Sequence, residues 1–88
     1  MMIYLLTHSR SKGEIGNLIF RAYPETEIAK RAAEKAAVDA GAVNSVVWKF
    51  IPTIAEYGAW LGEFSYFWMY RRETRYIWVI PVEVGGDA

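Results

Sequence analysis

The chain has 88 residues, 53% hydrophobic and 16% aromatic, with ten basic and ten acidic side chains, zero formal net charge and no cysteine. That composition suits one packed domain over residues 1–88. It excludes a disordered tail, disulfide staples, thiolate nucleophiles and thiolate metal sites. Neutrality also argues against a dedicated nucleic-acid binder, whose footprint is a basic excess, and against a strongly acidic nucleic-acid mimic.

The opening segment MMIYLLTHSR has too few apolar residues before Thr7 for a signal-peptide core or a membrane span, so no membrane role is expected. Ile3 to His8 reads as a first strand. The polar stretch Ser9 to Gly16 reads as a loop whose glycines permit positive φ. Asn17 to Tyr23 forms the second strand, hairpin partner of the first, with Arg21 meeting water.

Pro24 opens a helix region, with Thr26 as the alternative N-cap and Glu25 and Glu27 at the positive end of the helix dipole. The body, Ile28 to Ala40, sets Ile28, Ala29, Ala32, Ala33, Ala36, Ala37 and Ala40 along one smooth stripe, and Gly41 ends it. An alanine face lets a helix approach a sheet closely. Ser45 to Ile51 is a third strand stopped by Pro52. Thr53-Ile54-Ala55-Glu56 has capping-box spacing, so Ile54 to Leu61 reads as a short helix closed by Gly62, with a structured loop as the alternative.

Phe64 to Val84, FSYFWMYRRETRYIWVIPVEV, has the composition of a β-hairpin. Placing Arg71 opposite Arg75 across a three-residue turn pairs Tyr70 with Tyr76, Trp68 with Trp78 and Tyr66 with Ile80. One face is then an aromatic panel and the other carries Phe67, Met69, Ile77 and Val79. A two-residue turn would scramble this pairing. Pro81 suits an edge position, and Gly85 to Ala88 reads as a loose tail. The order β-β-α-β-(short α)-β-β predicts a two-layer α+β fold, with one antiparallel sheet of about five strands and the main helix across one face.

No catalytic constellation emerges. His8 is the only histidine, a triad needs a carboxylate to orient it, and carboxylates with one histidine make a poor metal site. Gly13-x-x-Gly16 is too short for a phosphate loop. The expectation is a non-enzyme with no metal and no cofactor. The candidate contact residues are Arg71, Arg72 and Arg75 beside Tyr70 and Tyr76, because arginine and tyrosine dominate many interfaces. A solvated hairpin tip that discourages aggregation has the same composition. The panel of Tyr66, Trp68 and Trp78 reads first as core, second as a protein interface or homodimer surface, and third as a stacking platform for single-stranded nucleic acid.

The succession IYLLTHSR, NLIFRAY, ETEIAKRAAEKAA, SVVWKF and FSYFWMYRRETRYIWVIPVEV resembles small phage-encoded anti-CRISPR proteins acting on type I CRISPR-Cas systems. The likeness covers two N-terminal strands, an Ala/Lys-rich helix opening Thr26-x-x-x-Lys30, an aromatic fourth strand and a short final strand. The segment from Pro52 to Gly62 departs from the simplest members. The resemblance implies an inhibitor that binds a Cas subunit or surveillance complex in the host bacterial cytoplasm and blocks target DNA binding or nuclease recruitment. Direct nucleic-acid contact is not expected. The contact residues come from interface chemistry, not from the resemblance.

Overall fold

The structure, a computed structural model, describes residues 1–9, 18–54 and 56–85, with the backbone alone for 18–20. The elements are β1 (Met2–Ser9), β2 (Leu18–Tyr23), α1 (Thr26–Asp39), β3 (Val47–Ile51), β4 (Ala59–Trp68) and β5 (Arg71–Glu83). The expected loop from Arg10 onward, Asn17 at the start of the second strand and the tail beyond Gly85 lie outside the described residues. The five strands form one antiparallel sheet in the order β2-β1-β5-β4-β3, and the helix packs on one face. This is the expected two-layer α+β architecture.

β5 is central, between β1 and β4. Pro81 therefore sits in an inner strand rather than the edge strand expected for it. It is tolerated because the β4–β5 pairing ends at Trp60↔Val79, which leaves that end of β5 locally an edge where a missing N–H costs little. β2 carries one extra residue, Phe20, between Ile19 opposite Thr7 and Arg21 opposite Leu6, a β-bulge. Arg21 is exposed, as its charge requires.

The helix begins at Thr26, and its N-cap is Glu25, extended at φ −139° and ψ 148° with no side-chain cap bond. Thr26 thus belongs to the first turn rather than capping it. The C-terminus closes as a Schellman motif. Gly41 stands at φ +89°, its N–H donates to the Val38 carbonyl at 3.0 Å, and the Ala42 N–H donates to the Ala37 carbonyl at 2.9 Å. Only Ala29, Ala33 and Ala37 are fully buried, against Leu6, Phe64, Ile77 and Val79. Ile28, Ala36 and Ala40, expected on the same stripe, are exposed.

Aromatic rings fill the flank that the short alanines leave open. The Lys30 ammonium lies 3.3 Å from the Trp60 ring centroid and 5.7 Å from that of Trp48. The Trp48 Nε1–H donates to the Glu34 carboxylate at 3.1 Å. These contacts bind the helix to β3 and β4 through cation–π attraction and a charge-assisted hydrogen bond.

The short helix expected over residues 54–61 does not form. Residues 56 and 57 are turn and β4 starts at Ala59. Gly58 explains the difference: it stands at φ +78°, and a Cβ there would lie 2.5 Å from the Phe50 ring. The segment is a tight return beneath a β3 side chain, and glycine is what fits.

The β4–β5 register also departs from expectation. The turn is the two residues Met69 and Tyr70, so Trp68 pairs with Arg71, Phe67 with Arg72, Tyr66 with Glu73 and Phe64 with Arg75. The partner of Trp68 is residue 71 rather than 78, an odd displacement that exchanges the faces of β5. Ile77 and Val79 share the helix-side core with Leu6, whereas Trp78 and Ile80 join Ala59 and Leu61 in a second cluster, flanked by Leu5, Ile51 and Ile54.

Candidate functional site at the β4–β5 turn

Among the described residues, β1 last pairs with β5 at Ser9↔Tyr76, and β3 first pairs with β4 at Val47↔Glu63. Beyond these pairs, among the described residues, the hairpin meets the segment after the helix through the bridge Ala42↔Tyr66, the Val43 N–H donating to the Ser65 carbonyl at 2.8 Å and the Ser65 N–H donating to Asn44 Oδ1 at 2.8 Å. It forms one end of an elongated molecule, 52 × 22 × 20 Å. Phe67, Trp68, Met69 and Tyr70 are all exposed at this end, Met69 at 74% and Tyr70 completely at 104%. Both turn residues occupy the left-handed region, φ 48° and 66°. That is the backbone a two-residue hairpin turn demands when it matches the strand twist.

Arg71 and Arg72 follow the turn and are exposed. Arg71 is 3.8 Å from Glu73, a surface pair of little worth. Arg75 is held differently. Its Nε–H donates to the Tyr66 hydroxyl at 2.9 Å, its Nη1 lies 3.1 Å from His8 Nε2, and the guanidinium carbon is 5.2 Å from the Tyr66 ring centroid. A guanidinium only donates, so His8 Nε2 accepts and the ring proton sits on Nδ1. Among the described residues no carboxylate lies within ion-pair distance of Arg75.

Two clefts meet here. One, about 430 Å³, is lined by Trp68, Arg71, Glu73, Thr74 and Arg75. The other, about 400 Å³, is lined by His8, Phe64, Tyr66, Trp68 and Arg75 among others. Arg75 and Trp68 belong to both.

The contact residues read from the sequence are therefore divided. Tyr70, Arg71 and Arg72 gather at the projecting turn, and Arg75 lies behind them on the helix side. Tyr76 points to the opposite face, half-buried against the second cluster. The aromatic panel is split as well: Tyr66 is half-buried and Trp68 exposed on the helix side, while Trp78 is 1% exposed on the other. Trp78 cannot present a surface. Sequence reasoning missed His8 as a partner of Arg75, a contact across 67 residues with no local signal. It also assigned Met69 to a strand face rather than to the turn.

At the end away from the turn, the Glu56 carboxylate, then desolvation and then Glu83 push the Tyr57 phenol above its ordinary value. Among the described residues no cluster of His, Cys, Asp and Glu could hold a metal ion, and no helix is long and apolar enough to cross a membrane. Comparison with family models, with curated proteins and with solved structures finds no match to this chain.

Proposed function

We propose that this protein acts without catalysis, by binding a protein partner through the β4–β5 turn. The observation that carries this reading is the turn itself. Met69 and Tyr70 hold left-handed backbone, which costs about 1–2 kcal/mol for each non-glycine residue, and their side chains lie in solvent rather than in a core. Asn-Gly would make the same turn with less strain. Strain that packing does not offset is characteristic of functional segments. Large exposed apolar side chains beside two arginines supply the residue types that dominate interface energetics.

The resemblance to anti-CRISPR proteins supplies the first partner to test, a type I Cas surveillance complex. Purified protein mixed with such complexes is expected to co-elute with them. Loss of target-DNA binding would indicate a blocked DNA-access surface, and retained DNA binding would indicate blocked nuclease recruitment. No co-elution across subtypes would overturn that partner. The homodimer and nucleic-acid alternatives drew on the panel of Tyr66, Trp68 and Trp78, of which Trp78 is buried and Trp68 exposed.

A further inference from the structure

We propose that the cleft behind the turn is a carboxylate pocket, in which Arg75 takes the side chain of a glutamate or aspartate on the partner. This deepens the protein-binding reading and rests on it. Of the five N–H donors of a guanidinium, the Nε–H goes to Tyr66 and one Nη1–H to His8. Three remain without a partner among the described residues. Arg75 is half-buried, and a cation withdrawn from water is ordinarily paired. Here the Tyr66 hydroxyl and an accepting His8 ring orient the fork, and among the described residues no carboxylate pairs with it. It opens on clefts of about 400 and 430 Å³, within the usual size of ligand sites.

The rest of the wall selects the ligand. Trp68 lines both clefts and offers a ring for the methylene stem of an acidic side chain or for an apolar neighbour. Arg71, on the same face of β5 as Arg75, adds a second positive charge. Glu73 sits between them, 3.8 Å from Arg71, and its negative charge disfavours a doubly charged phosphate more than a singly charged carboxylate. A planar carboxylate also matches a guanidinium fork in geometry.

The test is an NMR titration of the intact protein with N-acetyl-glutamate amide, with its glutamine counterpart and with inorganic phosphate. The Arg75 Nε–H and Trp68 Nε1–H resonances report binding. The glutamate probe should give saturable shifts, with the glutamine probe weaker by about tenfold, as loss of a charge-assisted pair implies. Arg75→Met should abolish the response. Arg71→Gln, exposed and safe for folding, should weaken it severalfold. Absent shifts, equal shifts with the glutamine probe, or tighter binding of phosphate would overturn the pocket. The two proposals fail separately: a partner captured by the turn with unchanged affinity for Arg75→Met would refute the pocket alone.

Discussion

A Cβ on Gly62 would stand 2.8 Å from Cζ3 of Trp48, and equally close to Val46. The missing side chain on β4 is what lets the β3 indole lie across the sheet, where Lys30 and Glu34 reach it. Gly62→Ala should therefore force the indole outward and destabilise the fold by about 1–3 kcal/mol, the usual cost of overpacking. Urea unfolding measures this. An unchanged midpoint would mean that Trp48 moves aside freely and that its contacts with the helix contribute little.

The helix seat makes a sharper comparison. Ala33 is fully buried against the sheet, whereas Ala36, less than a turn further on, is exposed. Ala33→Leu should lower stability by about 1–3 kcal/mol, while Ala36→Leu should stay within about 0.5 kcal/mol of the parent. Equal effects would contradict the placement of the buried stripe.

His8 offers a spectroscopic check on the Arg75 contact. Because Nε2 accepts from a guanidinium, the neutral ring should carry its proton on Nδ1. The ¹⁵N shifts and long-range couplings of the imidazole distinguish the tautomers. A dominant Nε2–H form would show that Arg75 does not donate there.

Met69→Asn with Tyr70→Gly should raise stability, by about 1–3 kcal/mol, since it installs the preferred residues of the turn. Unfolding in urea at constant m-value would report the gain. A loss of stability would mean that the two side chains pack usefully in the native state, and the strain argument would fall.

The layering was legible in the sequence because it is written in local periodicity. The alanine spacing of the helix, Gly41 at its end, Pro52 after β3 and the β-rich runs downstream each act within a few residues. The place of β5 between β1 and β4 was not, because strand order follows from contacts between opposite ends of the chain. The turn escaped notice for a local reason: Met69 and Tyr70 lack the glycine or asparagine that normally marks left-handed backbone. The polar residues Arg72, Glu73 and Thr74 read as a three-residue turn, yet residues 71–75 continue a strand with their side chains alternating between faces. The candidate site was accordingly legible as a composition of arginine and tyrosine. Its division into a projecting turn and a rear cleft depended on the register, and one odd shift decided that.

Whether the turn meets a partner is tested most directly by photo-crosslinking. A benzoylphenylalanine at position 70, with one at position 38 on the exposed helix as control, would be irradiated in cells that carry the gene natively. The binding reading predicts a light-dependent adduct with one protein from position 70 and none from position 38. Equal labelling from both positions, or none from position 70, would contradict it.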